Sequence, residues 1–220
     1  MIYHAKKEWD WMESHPAVEA VVRAAFEEGR VDRFQFAGGA QAILGDIART
    51  LNEDELFHAE RIFFIEGTRR LRLGLVEALA PHGLHVRGDV HWKTVTSQYD
   101  DPIEYSNGLA SFYRNCVVNL NTTSVQMTNA VNQRVFDCPA AGGFILTDKQ
   151  SQLKELFDGE DEVVTYETLD EARDKLLWFL EHPKGRQEVV ARAQKRIFGE
   201  HTYTHRLKKI TEHLKGLYGG

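Results

Sequence analysis

Apolar residues recur at helical spacing through the first third of the chain, then give way to short apolar runs divided by turn residues. From Pro16 to about Ala80 the pattern predicts helices. Ser14-His-Pro16 places a capping hydroxyl before a proline suited to a first helical turn, and Val18, Val21, Val22 and Ala25 mark one face. Gly38-Gly39 and Asn52 interrupt this region. Asn52-Glu-Asp-Glu55 then opens a helix whose apolar positions Phe63, Leu71, Leu75 and Leu79 recur at multiples of four. Ile62-Phe-Phe-Ile65 alone also suits a strand, but the pattern continues through Leu79 and favours helix.

The texture changes at Gly83. Leu84-His-Val-Arg-Gly88 reads as a short strand, Ile103 to Tyr113 as a helix, and Cys116-Val-Val-Asn-Leu120 as a buried parallel strand. A helix from Val131 to Ala141, a strand Gly143-Phe-Ile-Leu-Thr147, a helix from Ser151 to Phe157 and a strand Glu162-Val-Val-Thr-Tyr166 follow. Such β-α-β-α-β order predicts an α/β fold with a Rossmann-like parallel sheet flanked by helices, its crossovers right-handed. Thr168-Leu-Asp-Glu171 is a capping box for the next helix, His182-Pro183 starts another that runs to about Phe198, and His201 to Leu217 forms an amphipathic terminal helix. The expected division is 1–60 as a helical N-terminal segment or linker and 61–220 as the Rossmann-like domain.

Size and composition narrow the function classes. A chain of 220 residues with 42% hydrophobic and 27% charged residues suits a globular protein with one main domain and an appendage. No apolar run approaches the ~20 residues of a membrane span, and the first residues lack a secretory pattern, so the expected location is cytoplasmic. A net charge of −6 argues against a general affinity for nucleic acid. Cys116 and Cys138 each lie in apolar stretches and read as reduced, buried thiols. The ten His residues are scattered, so no metal site is expected, and Asp158-Gly-Glu-Asp-Glu162 reads as a solvated turn.

The stretch Asn129 to Asp148 carries the candidate chemistry, joining a polar-headed helix to a strand through Gly142-Gly143. Glycines allow close backbone approach to a ligand, and helix N-termini offer N–H groups to anions. Arg134 and Asp137 lie three apart on that helix, the one suited to a phosphate and the other to the paired hydroxyls of a ribose. The competing structural reading makes Gly142-Gly143 a helix C-cap, Arg134 with Asp137 a surface ion pair, and Phe136, Cys138 and Phe144 ordinary core.

Several further pieces fit one pattern: Gly88-Asp-Val-His-Trp92; Tyr113 before Val118-Asn-Leu-Asn121; Gln133-Arg-Val-Phe-Asp137 with Ala141-Gly-Gly-Phe-Ile-Leu-Thr-Asp148; Glu155-Leu-Phe157 before Glu162-Val-Val; and Glu200-His-Thr-Tyr203 with Arg206. Their order resembles the C-terminal half of GT-B glycosyltransferases, and above all the spore-maturation type of group 1 glycosyltransferase, over roughly Arg69 to Leu214.

The resemblance implies a donor-binding domain that takes a nucleotide sugar as substrate and needs no cofactor or metal. The acceptor would be held by an N-terminal domain or partner chain beyond these residues, so this chain alone is expected to be incomplete as an enzyme. It also implies Asp137 on the ribose, Arg134 on the diphosphate, Asn121 and Asn119 at the sugar or phosphate edge, and Gly88 with Asp89 at the rim. Related retaining enzymes carry a Glu eight positions before that carboxylate; Asn129 stands there, and a retaining mechanism does not carry over. His201 reads as packing rather than as a base. Two other readings remain open: a non-catalytic nucleotide-sugar-binding or scaffold module, and another Rossmann-like enzyme such as an epimerase or dehydrogenase, the latter disfavoured because no G-x-G-x-x-G follows an early strand.

Overall fold

The computed structural model describes residues 5–29, 31, 39–127 and 129–218. Gly38, expected with Gly39 to interrupt the early helices, lies outside them. The chain forms two compact units, one running up to Ile103 and including Thr122–Ala130, the other comprising Glu104–Asn121 and the residues from Val131 onward.

The first unit is mainly helical: α1 (Ala5–Met12), α2 (Pro16–Glu27), α3 (Gly39–Leu44) and the long α4 (Glu53–Leu79). The start of α4 is fixed by a capping box, Glu55 N–H donating to Asn52 Oδ1 at 3.0 Å and Asn52 N–H to Glu55 Oε2 at 2.9 Å. Ile62 and Phe63 are fully buried within this helix, against Met12, Val22 and Phe26. The helical reading of Ile62-Phe-Phe-Ile65 therefore holds. The boundary expected near residue 60 falls inside α4.

At α2 the expected hydroxyl cap does not form. His15 occupies the cap position without a side-chain bond to the helix N–H groups, while Ser14 Oγ donates backwards to the Trp11 carbonyl at 2.6 Å. Pro16 needs no N–H partner, so the helix starts without that hydroxyl. After α4 the chain makes β1 (Val86–Arg87) and β2 (Tyr99–Asp100), which pair in parallel. Thr122–Ala130 is tied to α4, Val125 N–H donating to Thr68 Oγ1 at 3.1 Å.

In the second unit, β3 (Asn119–Asn121), β4 (Ile145–Asp148) and β5 (Val164–Tyr166) form a parallel sheet in the order β3-β4-β5. All four residues of the central β4 are buried. Helices α5 (Leu109–Asn115), α6 (Arg134–Ala140), α7 (Leu153–Leu156), α8 (Leu169–Glu181), α9 (Pro183–Glu200) and α10 (Tyr203–Tyr218) complete the unit. Val135, Leu153, Phe157, Val163, Ala193 and Ile197 form one core beneath α6 and α9; Tyr113, Cys138 and Ile145 form another beside α5. The α/β expectation of a Rossmann-like parallel sheet flanked by helices, with helices preceding it, is met.

Several elements are shorter than the sequence pattern predicted. The helix expected from Ile103 begins only at Leu109, because residues 105–108 form a turn that ends on Gly108 with φ of 104°. Strand β3 starts at Asn119 rather than Cys116, and Val117 is exposed. Thr168 Oγ1 accepts the Glu171 N–H at 3.1 Å, but the Glu171 carboxylate turns to the Glu167 N–H instead, so half of the predicted box forms.

Candidate ligand site at the carboxyl edge of the sheet

Parallel strands present their carboxyl ends at one edge, where α/β sheets receive ligands. Here that edge carries Asn121, Thr147, Asp148 and Tyr166. Asn121 organises it. Its Nδ2 donates to Thr147 Oγ1 at 2.9 Å and to Asn132 Oδ1 at 3.3 Å, while Asn132 Nδ2 returns a 3.1 Å bond to Asn121 Oδ1. The Tyr166 hydroxyl donates to the Asn121 carbonyl at 2.8 Å. One buried residue thus ties all three strands to the segment that enters α6, β4 and Asn132 through its side-chain amide and β5 through its main-chain carbonyl.

Asn132 also sets the start of α6, accepting the Arg134 N–H on Oδ1 at 3.1 Å. Val135 N–H reaches the Asn132 carbonyl, and the N–H groups of Phe136 and Asp137 reach that of Gln133. The first-turn amides expected to hold an anion are therefore already engaged. The Arg134 side chain remains as the cation at this end: it is exposed and makes no hydrogen bond or ion pair among the described residues.

Arg134 and Asp137 do not pair with each other. The Asp137 carboxylate is half-buried, and its Oδ2 accepts a 2.7 Å hydrogen bond from the Tyr105 hydroxyl. That bond holds the Tyr105 hydroxyl above its usual pKa, so it stays a donor. Sequence reasoning missed Tyr105 because it placed the residue inside a helix. Ser106-Asn107-Gly108 was the turn signal that would have freed it.

Gly142-Gly143 lies at the opposite end of the sheet. Gly143 N–H donates to the Cys138 carbonyl and Gly142 N–H to the Pro139 carbonyl, with Gly142 at φ of 92°: a Schellman cap on α6. A Cβ on Gly143 would lie 2.5 Å from the Tyr113 carbonyl and 2.9 Å from both Asn119 Nδ2 and Cys138 Sγ. These glycines serve a helix end and a tight backbone contact, and the junction expected to receive a ligand is packing. Asn119 sits at this same end, its Nδ2 donating to the carbonyls of Tyr113 and Phe144 at 2.9 and 3.1 Å.

Gly88, Asp89 and Asn129 belong to the first unit. Asn129 is exposed. Asp89 caps a turn, accepting the His91 N–H on Oδ1 at 2.9 Å, and the Gly88 carbonyl accepts the Tyr99 hydroxyl at 2.8 Å. With Arg69, Arg72, Arg87 and Trp92 they line a cavity of about 210 Å³. Its charge is shared: Arg69 is held by Glu66 and Arg87 by Asp100.

Other candidates resolve as structure. Cys138 is a buried thiol whose burial pushes its pKa up, and Cys116, also outside any disulfide, is half-buried. His201 Nε2 lies 2.8 Å from the Leu156 carbonyl, with its ring against Phe136 and Phe157, as its packing reading required. The acidic turn is tied down rather than merely solvated: Asp158 and Glu162 pair with Arg196, Glu160 with Lys175 and Asp161 with Arg192. Among the described residues no group of His, Cys, Asp and Glu is arranged to hold a metal ion, and no helix is long and apolar enough to cross a membrane.

The profile of the glycosyl transferase-like family matches residues 62–212, which takes in the whole carboxyl edge described above. No curated protein and no solved structure gives a significant match to the chain. With more than two-thirds of its length inside that profile, the chain belongs to the glycosyl transferase-like family.

Proposed function

We propose that the chain is the donor-binding half of a glycosyltransferase of the GT-B, spore-maturation type, and that it takes a nucleoside-diphosphate sugar at the carboxyl edge of β3-β4-β5. The observation that carries this reading is the Asp137 carboxylate, held half-buried by Tyr105 one helical turn from the exposed Arg134. A fixed carboxylate suits the paired hydroxyls of a ribose. A guanidinium suits a diphosphate, whose negative charge grows as the bond to the sugar breaks.

Each residue then has one task. Asp137 orients the nucleoside, Arg134 stabilises the departing diphosphate, and Asn121 holds the strand ends in register behind them through Thr147 and Asn132. Asn119, Gly142 and Gly143 support the opposite end of the sheet and drop out of the contact set. Gly88 and Asp89 line the cavity of their own unit, where Arg69 and Arg87 are already paired with carboxylates. The acceptor and the base that activates it come from an N-terminal domain or a partner chain, and the protein works in the cytoplasm, where nucleotide sugars are made.

A thermal-shift panel of uridine, guanosine, adenosine, cytidine and thymidine diphosphates and their sugars tests this reading. At least one is expected to raise the melting temperature, and Asp137→Ala to abolish that shift; a flat panel overturns it. Binding without sugar transfer, once an acceptor-side domain is supplied, would point instead to a non-catalytic module of the same fold.

A further inference from the structure

The last helix, α10, buries none of its residues. Tyr203, Leu207, Ile210, Leu214, Leu217 and Tyr218 are 48% to 82% exposed. They fall within an arc of roughly 100° on a helix, the width of a face that buries itself against something apolar. Covered by nothing among the described residues, such a continuous stripe needs an occupant.

The charges around the stripe say which kind. The helix carries four cations, Arg206, Lys208, Lys209 and Lys215, against one carboxylate, Glu212, although the whole chain is acid with a net charge of −6. At helical spacing, Arg206 and Lys215 stand nearest the two margins of the stripe, Lys209 and Lys208 lie further round on the polar face on either side, and Glu212 lies opposite the stripe. Long basic side chains on both margins of an apolar arc, with tyrosines at its two ends, match a helix lying in the plane of an anionic bilayer surface. Arg206 also rests over the Phe136 ring at 4.6 Å, which anchors the start of the helix to α6.

A second copy fits less well. The helix has 16 residues, short of the three to four heptads of a sustained coiled coil, and a copy laid on the stripe brings no carboxylate to Arg206 because Glu212 points away.

We propose that α10 is a surface-binding helix for anionic phospholipid, its stripe entering the acyl boundary and its Lys208, Lys209 and Lys215 side chains meeting the headgroup phosphates. The proposal stands on α10 alone and is independent of the donor site.

Vesicle flotation of the full chain tests it, comparing pure phosphatidylcholine with vesicles containing about 30% phosphatidylglycerol. The chain is expected to float with the anionic vesicles, at least about tenfold more tightly than with the neutral ones, and less tightly as salt rises. Leu207→Glu with Leu214→Glu should abolish flotation, and Lys208→Gln, Lys209→Gln and Lys215→Gln together should weaken it about a hundredfold, at roughly fivefold per charge. These side chains are exposed, so the variants should keep the wild-type melting temperature. A second readout needs no charge or stripe disruption: a polarity-sensitive dye on Ile210→Cys should shift to the blue with anionic vesicles, and the same dye on Glu212→Cys should not. Absence of flotation, flotation unchanged by Leu207→Glu with Leu214→Glu, or equal dye shifts at the two positions would overturn the proposal. So would a solution dimer that the same two substitutions dissociate without any vesicle binding, which would assign the stripe to a second copy.

Discussion

The Tyr105 hydroxyl donates a 2.7 Å hydrogen bond to Asp137 Oδ2, joining the turn before α5 to the first turn of α6. Tyr105 is itself 60% exposed, so the contact is not needed to fill a core. Its effect is to fix one carboxylate oxygen on α6, one helical turn from the exposed Arg134. Tyr105→Phe should therefore leave the melting temperature close to wild type and weaken nucleoside-diphosphate binding by about threefold to tenfold. Scanning calorimetry of the variant beside wild type measures the first quantity and titration calorimetry the second.

The junction at Gly143 makes the opposite prediction, a large effect on stability. Its missing Cβ would stand 2.5 Å from the Tyr113 carbonyl, and backbone cannot give way cheaply there. Gly143→Ala should cost at least about 2 kcal/mol. Chemical denaturation should show it in the midpoint, and a variant as stable as wild type would contradict the packing role.

Glu66 gives a pH signature in the first unit. Burial raises its pKa, but hydrogen bonds and charge from Arg69 and Arg70 outweigh that and hold it below its ordinary value of 4.5. A depressed folded pKa contributes stability that is fully present above the unfolded value and is lost as pH falls through the folded one. Glu66→Gln should cost about 2 kcal/mol at neutral pH, and the gap from wild type should close as the pH drops below 4.5. Urea denaturation at a series of pH values reads this directly.

Tyr113 provides the alkaline counterpart. Burial against α6 pushes its hydroxyl up to about 12 from 10.0. Its contribution to stability is complete below the unfolded value of 10 and is lost as pH rises towards the folded one. Absorbance titration of phenolate should show tyrosine ionising well above pH 10, and Tyr113→Phe should remove one such late step.

Much of this fold was legible because local signals agreed with tertiary packing. Asn52 and Glu55 announced α4, and the buried runs around Leu146 and Val164 announced a parallel sheet. Where tertiary partners decided the outcome, local reading failed. Ser14 had a nearer carbonyl at Trp11, and the turn at residues 105–108 cut short an apparent helix. For the site, residue types were readable but the sheet edge was not. Gly142-Gly143 and Asn119 carry ligand-like chemistry at the amino end of the strands, and only the β3-β4-β5 register separates them from Asn121 at the carboxyl end, where Asn132 ties in the start of α6. Tyr105 was invisible because its partner lies 32 residues away.

Equilibrium binding of the nucleoside-diphosphate panel to wild type and Asp137→Ala is the most direct test of the donor site. Wild type should bind at least one diphosphate, and Asp137→Ala should lose about tenfold to a hundredfold in affinity while melting as wild type does. Equal affinity in the two proteins, or no binding of any diphosphate to wild type, would contradict the assignment of this edge to the donor.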